Sequence, residues 1–117
     1  MDADGIDEAR RWGRELRKGS MRLILLSTIA EGETYGYELL QRLRAAKTPV
    51  GASEATLYPL LRELETNGHL ASRWQHNGSG PGRKYYRLSK SGLKLLSLLR
   101  NEWNQFQDEL KEVLNDA

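Results

Sequence analysis

Two adjacent cations, Arg83 and Lys84, directly follow the glycine-rich segment 77–82, Asn-Gly-Ser-Gly-Pro-Gly. Neighbouring cations repel each other unless an anion compensates them. Arginine and lysine side chains supply most of the contacts that proteins make with nucleic-acid phosphates. The pair therefore predicts a contact with an anionic backbone, made from the far side of a flexible loop.

A second set of polar side chains begins a helix that the sequence predicts over about 54–67; its exposed members are Glu54, Ala55, Thr56 and Tyr58, with Arg62 further along. The Thr56 hydroxyl can hydrogen-bond a base edge or a phosphate, and its methyl group can contact a thymine methyl. The Tyr58 hydroxyl can donate to a phosphate, but its ring could equally cover the edge of the core. The pattern favours a helix that reads DNA.

The charges are unevenly distributed, although the net charge of the 117 residues is only +2. Residues 71–94 contain six basic residues and no acidic one, whereas residues 95–117 contain two basic and five acidic residues. A local excess of positive charge is typical of a surface that meets phosphates, but a solvated charged loop has the same composition. Charge alone does not choose between these interpretations.

The composition argues against catalysis. The sequence has no cysteine, which excludes disulfides, thiolate metal sites and cysteine nucleophiles. The only histidines are His69 and His76, and no third ligand stands at metal-site spacing. The segment 78–82 lacks the ending of a phosphate-binding loop, and no serine sits in a nucleophile elbow. We therefore expect no enzyme, no metal site and no cofactor.

The sequence contains no apolar run long enough for a membrane span and no signal peptide. We therefore expect a cytoplasmic protein. The length fits one domain.

Periodicity predicts four helices, over 6–17, 35–46, 54–67 and from Ser89 to about 115, and leaves open whether 6–31 is one kinked helix or two. Thr34 is expected to cap the second helix and Ser53 the third, while Pro59 should bend the third. Asn67-Gly68 should end the third helix. Gly36 should allow another helix to approach closely. Residues 47–52 should form a loop.

Two strand-like runs, 69–76 and 83–88, flank the glycine-rich segment and predict a hairpin. Three helices followed by a hairpin indicate an α+β, mostly helical fold, the winged helix–turn–helix. In that fold the third helix enters the major groove and the hairpin, or wing, here 77–84, contacts the DNA backbone. The remaining alternative is a winged helix that binds protein and not DNA, because one fold hosts unrelated functions.

The last predicted helix carries apolar residues spaced 3, 4, 3, 4, 3, a heptad seam formed by Leu96, Leu99, Trp103, Phe106, Leu110 and Val113. Its early part should pack on its own domain through Leu93 and Leu96. Its later part would leave Trp103 and Phe106 in water, which favours a homodimer. Trp12 and Leu16 of the first helix are assigned to the same interface. The residues assigned to dimerisation are therefore Trp12, Leu16, Leu99, Trp103, Phe106, Leu110 and Val113.

Three linked motifs follow one another along the chain: Tyr35-Gly36-Tyr37-Glu38-Leu39, then Thr56-Leu57-Tyr58-Pro59-Leu60-Leu61 with Leu64-Glu65 and Asn67-Gly68, and Gly82-Arg83-Lys84-Tyr85-Tyr86-Arg87-Leu88-Ser89 with Gly92. Together they resemble the PadR family of bacterial transcriptional regulators. The resemblance covers about residues 20–100. It implies a homodimeric repressor that responds to small aromatic or drug-like molecules, in the short form with a single C-terminal helix.

The residues assigned to DNA binding are Tyr35, Ser53, Glu54, Ala55, Thr56, Tyr58, Arg62, Arg83 and Lys84. The expected partner is a pseudo-palindromic double-stranded operator. The predicted division is an N-terminal helical extension over 1–19, a DNA-binding domain over 20–89 and a dimerisation helix over 90–117.

Trp103 and Phe106 are also assigned to an effector site, because two indoles paired across a two-fold axis interdigitate poorly and leave gaps for planar aromatic or cationic ligands. Some short members of the family hold drug-like molecules between tryptophans on the last helix. The resemblance implies a similar binding site in this chain. In the alternative, Trp103 packs against Trp12 or Leu16 of the partner and leaves no cavity.

Overall fold

The computed structural model describes residues 3–45, 52–76, 78 and 80–114. After a short 3-10 turn at Ala3–Gly5, the elements in chain order are α1 (Ile6–Gly19), α2 (Met21–Ile29), β1 (Thr34–Tyr35), α3 (Gly36–Arg44), α4 (Glu54–Thr66), β2 (Leu70–Gln75), β3 (Arg83–Leu88) and α5 (Lys90–Val113). The strands form an antiparallel sheet in the order β1-β3-β2. The predicted α+β, mostly helical fold is confirmed. In the part of the chain that is described, no helix is both long and apolar enough to cross a bilayer.

The segment 6–31, which the sequence left open, forms two helices that meet at Ser20. The Ser20 N–H donates to the carbonyl of Leu16 at 3.1 Å, and the Ile24 N–H donates to the carbonyl of Ser20 at 3.1 Å. Helical hydrogen bonding therefore passes through the junction. The break falls at Gly19-Ser20, where glycine lowers helix propensity.

Thr34 does not cap α3, so that prediction was wrong. It is fully buried in β1 and pairs with Tyr86 of β3, and this third strand was not predicted. Tyr35 takes the N-cap position of α3 without a side-chain capping bond. The Thr34 hydroxyl instead donates to Oε1 of Glu38, at 2.6 Å. A two-residue strand carries no alternation that a pattern could reveal.

The predicted boundaries of α4 are confirmed to within one residue. The Ser53 hydroxyl caps its start by accepting from the Thr56 N–H at 3.3 Å. Gly68, with φ of 81°, follows its end, in a backbone conformation that glycine adopts without strain. Pro59 lies within the helix.

Helix α5 begins against the main core and then leaves it. Ser89 caps it by accepting from the Gly92 N–H at 3.0 Å, and a Cβ on Gly92 would collide with the carbonyl oxygen of His69. Leu96 is buried in the core as expected, but Leu93 is 56% exposed, so the prediction that Leu93 packs on its own domain was wrong. All residues from 100 to 114 are exposed.

Three stretches with sequence predictions lie outside the described residues. They are most of the loop 47–52, two positions of the hairpin loop, 77 and 79, and the last residues of the final helix, 115–117.

Candidate nucleic-acid interface

The start of α4 presents most of the side chains expected to read DNA. Glu54 and Ala55 are exposed, and Thr56 and Tyr58 are half-buried. The hydroxyls of Ser53 and Thr56 lie 3.1 Å apart, within hydrogen-bonding distance. The cap that starts the helix therefore also fixes Thr56, so this side chain is held in place before any ligand arrives. Arg62 lies further along the helix and is exposed.

The ring of Tyr58 packs against the first residue of α3. A Cβ on Gly36 would lie 2.6 Å from Cε1 of Tyr58, so only glycine leaves room for the ring. The predicted close approach at Gly36 is therefore confirmed, and α4 is the helix that approaches. Tyr58 is half-buried against the core, so it covers the core edge, one of the two roles considered for it.

The outer face of the sheet carries a row of two adjacent aromatic rings with an arginine stacked at each end. The guanidinium of Arg83 lies 4.6 Å from the ring centroid of Tyr35, and the guanidinium of Arg73 lies 4.9 Å from that of Tyr85. The two tyrosine rings meet edge-on, with centroids 5.2 Å apart. Cation–π attraction and edge-on ring packing therefore link all three strands and orient Arg83.

The two arginines at the ends of this row differ in whether a nearby carboxylate compensates their charge. Nε and Nη2 of Arg73 donate to the carboxylate of Glu33, with distances of 2.6 to 3.0 Å. The hydrogen bonds from Arg73 hold the pKa of Glu33 below its ordinary value. Within the described residues, Arg83 forms no ion pair. Arg83 is therefore the end of the row whose charge is available to an external anion.

Lys84 lies on the opposite face of β3 and pairs inside the protein. Its Nζ donates to Oε1 of Glu65 at 2.6 Å, and the Ser72 hydroxyl donates to the other oxygen of the same carboxylate. These two hydrogen bonds lower the pKa of Glu65, and the bond to Glu65 raises the pKa of Lys84. The anion that compensates Lys84 is therefore Glu65 of α4, and the sequence had suggested an external one.

The acid-free segment 71–94 thus contains both paired and unpaired cations. Arg73 and Lys84 are neutralised by acids from outside the segment. Its other four basic residues form no ion pair with any described residue; they are Arg83, Arg87, Lys90 and Lys94. Sequence reasoning named Glu65 and Tyr85 only as motif residues and gave no role to them or to Glu33, because their roles depend on the register of the strands and on how α4 packs against them.

The seam of α5 is apolar and open to solvent over its second half. Leu99 is partly buried against the core of its own protomer. Trp103 and Phe106 are 44% and 42% exposed, and their ring centroids lie 6.4 Å apart. Leu110 and Val113 continue the exposed seam at 37% and 76%.

Trp103 also faces the junction of α1 and α2, where a cleft of about 360 Å³ lies on each side of it. Phe106, Leu23 and Glu102 line the first cleft, and Leu16 lines the second. Leu16 of α1 is therefore next to Trp103 of α5, and Trp12 lies one helical turn before Leu16 and is 63% exposed. The two helices assigned to dimerisation form one continuous apolar surface.

Comparison with known proteins shows which proteins share this arrangement. The model of the transcriptional regulator PadR-like family matches residues 25–98. An uncharacterized protein of Lysinibacillus sphaericus is 31% identical over 102 residues, 86% of this chain and 90% of that protein. The transcriptional regulator Rv3488 of Mycobacterium tuberculosis is 34% identical over 84 residues, 72% of this chain and 76% of that protein.

Solved structures agree with the sequence relatives. The crystal structure of a PadR family transcriptional regulator from Eggerthella lenta superposes with a TM-score of 0.83 at 37% identity, covering 92% of this chain and 93% of that one. A PadR-like transcriptional regulator from Bacillus cereus gives a TM-score of 0.73 at 28% identity, covering 86% and 96%.

Proposed function

The chain belongs to the PadR-like family of transcriptional regulators, and on that premise we propose that it is a cytoplasmic repressor that binds duplex DNA as a homodimer. The start of α4 enters the major groove, where Thr56 and its neighbours meet base edges. The hairpin β2–β3 lies on the adjacent backbone, where Arg83 meets a phosphate.

A chain of contacts from α4 to the hairpin carries the proposal. Tyr58 of α4 packs on Gly36, and the ring of the preceding residue, Tyr35, lies under Arg83. The helix assigned to the bases and the cation assigned to the backbone therefore pack on two adjacent residues, Gly36 and Tyr35. A rigid link of this kind suits recognition, because base contacts specify only when the phosphate contacts hold the register.

The apolar surface of α1 and α5 supports the homodimer. An isologous interface through this surface would bury Trp103 and Phe106 of both subunits, at about 1.5–3 kcal/mol for each large side chain. It would also set two copies of α4 about 34 Å apart, the spacing of a pseudo-palindromic operator read on one side of the DNA.

The clefts beside Trp103 support an effector site. Glu102 and Glu109 line the first of these clefts together with Trp103 and Phe106, so aromatic faces and negative charge meet there. Such a site suits a planar aromatic cation. A ligand wedged at this position changes the angle between subunits, and it shifts DNA affinity by its differential affinity for the two arrangements.

Selection from a library of random duplexes tests the proposal directly. We expect enrichment of a pseudo-palindrome whose half-sites are about one helical turn apart, and a gel shift on the enriched duplex. Thr56→Ala should relax discrimination among related duplexes by about 1–3 kcal/mol at one base pair. Thr66→Ala, at the other end of α4, is the matched control and should leave discrimination unchanged. Failure of the parent to enrich any duplex would overturn the proposal.

A further inference from the structure

Helix α1 has an excess of basic residues that the core does not use. Its residues 6–19 include five basic and three acidic side chains. None of its residues is buried in the protomer. The family match begins only at residue 25, so α1 lies outside the matched region. A charged helix of this kind is often just a solvated surface, so its position relative to α4 decides its role.

The C-terminal end of α1 adjoins the start of α4. A cleft of about 420 Å³ is lined by Lys18 and Arg22 on one side and by Ala55 and Thr56 on the other. Arg22 is neutralised there by Glu63, with 2.7 Å between Nη2 and Oε1. Lys18 is exposed and forms no ion pair with any residue of the described part of the chain. The cleft beside the residues assigned to base reading thus holds one uncompensated cation.

Lys18 is the end of a longer row. Arg11 and Arg14 precede it by seven and four residues, a spacing that places all three on one face of the helix. At about 1.5 Å per residue the row is about 10 Å long. That length is close to the rise of three nucleotides of one DNA strand, at about 3.4 Å each.

A second face of α1, which carries Arg10 and Arg17, lies on the side of α5. Arg17 lines the cleft that contains Leu16 and Trp103, on the side of the molecule assigned to the dimer. Arg10 precedes Arg17 by seven residues and shares its face. Lys18 therefore lies beside α4 and Arg17 beside α5, and each has a second cation on its own face of α1 seven residues earlier.

We propose that Arg11, Arg14 and Lys18 form a second phosphate-binding surface, which contacts the DNA backbone beside the base pairs that α4 reads. The proposal rests on the proposed function. It assigns the opposite faces of α1 to two partners, the cationic row to DNA and the apolar stripe with Trp12 and Leu16 to the second subunit.

The test compares two matched double variants, Arg11→Gln with Lys18→Gln and Arg10→Gln with Arg17→Gln. Both remove two positive charges from exposed sites seven residues apart. The probe is the duplex enriched by selection, labelled with a fluorophore, and the readout is the slope of log K against log salt from fluorescence anisotropy. Circular dichroism and light scattering check that both variants are folded and dimeric.

Each lost phosphate contact lowers the slope by about 0.9. We expect the Arg11/Lys18 variant to lose about two to four units per dimer and therefore to bind at least about 40-fold more weakly at 0.15 M salt. The Arg10/Arg17 variant should lose less than about one unit. Arg11→Lys with Lys18→Arg, which keeps the charges, should retain the slope of the parent.

Equal slopes for the two double variants, or a parental slope in the Arg11/Lys18 variant, would overturn this inference and leave the proposed function standing. A parent that binds no duplex at all would overturn both.

Discussion

Arg83 and Lys84 are neighbours in the sequence, but they lie on opposite faces of β3 and meet different partners. The Arg83 guanidinium stacks over the ring of Tyr35, whereas the Lys84 ammonium donates to Glu65 at 2.6 Å. Strand alternation imposes this division, since successive side chains point to opposite sides of a sheet. Of the two cations assigned to DNA, Arg83 forms no ion pair with any described residue, whereas Lys84 has a structural partner.

The first prediction separates these two roles. Arg83→Gln should lower the salt slope of duplex binding by about two units per dimer, because each subunit loses one phosphate contact worth about 0.9. Its free energy of unfolding should fall by no more than about 0.5–1 kcal/mol, the value of an exposed cation–π contact such as that with Tyr35. Lys84→Met should show the reverse: a slope near that of the parent, and a loss of about 1–3 kcal/mol of stability because the partly buried carboxylate of Glu65 keeps only the Ser72 hydroxyl as a donor.

Anisotropy titrations at several salt concentrations, combined with urea unfolding, measure both quantities. If Lys84→Met flattened the slope as much as Arg83→Gln, Lys84 would leave Glu65 to meet DNA, and the division of roles would be wrong.

The second prediction concerns pH. Hydrogen bonds from Lys84 and Ser72 lower the pKa of Glu65 in the folded protein, so its ionised form stabilises the fold. This contribution is complete above the unfolded pKa of about 4.5 and is lost as pH falls through the lower folded value. Glu65→Gln should therefore be less stable than the parent at pH 7, and the difference should shrink steadily below about pH 4.5.

Thermal unfolding of both proteins between pH 7 and pH 3 provides the measurement. Glu63→Gln is the matched control: its carboxylate is on the same helix and is half-exposed in its pair with Arg22. A stability difference for Glu65→Gln that stays constant down to pH 3 would contradict the assignment.

The helices could be predicted from the sequence because their signals are local. Ser53 and Gly68 mark the two ends of α4, and both act on backbone groups within a few residues. The strand β1 escaped prediction because Thr34 and Tyr35 become a strand only by pairing with Tyr86 and Tyr85. No pattern within two residues encodes a partner about fifty positions away.

The same distinction applies to the candidate site. The residue types at the start of α4 and in the hairpin were evident, since threonine, tyrosine and arginine are chemically suited to DNA. Which cation is free was not evident, because the Lys84–Glu65 pair joins residues 19 positions apart on two elements. A charge count over 71–94 treats Arg73, Lys84 and Arg83 alike, whereas packing neutralises the first two.

The third prediction tests the dimer surface. Phe106→Glu places a charge in the exposed seam and should yield monomers, since burying an unpaired carboxylate at an interface is costly. Leu98→Glu is the matched control. Leu98 is 51% exposed on the same helix but lies outside the seam, so its variant should remain dimeric. Multi-angle light scattering at micromolar concentration distinguishes the two masses; a dimeric Phe106→Glu protein, or a monomeric parent, would argue against the seam.

The last prediction concerns the effector site at Trp103. A planar aromatic cation such as proflavine should quench tryptophan fluorescence in the parent, because the cleft that Trp103 shares with Phe106 combines aromatic walls with Glu102 and Glu109. The chain has three tryptophans, so the emission must be assigned. Trp103→Leu should lose the saturable quenching, while Trp74→Phe, on the hairpin, should keep it.

Binding must also be coupled to DNA if the site is regulatory. Proflavine concentrations that saturate the quenching should change the affinity for the enriched duplex more in Trp74→Phe than in Trp103→Leu. Because proflavine also binds free DNA, the Trp103→Leu titration measures that competition and is subtracted. Saturable quenching that persists in Trp103→Leu would place the ligand elsewhere. Saturable quenching at Trp103 with no change in DNA affinity would show that the ligand binds both subunit arrangements equally well, because only differential affinity shifts an equilibrium.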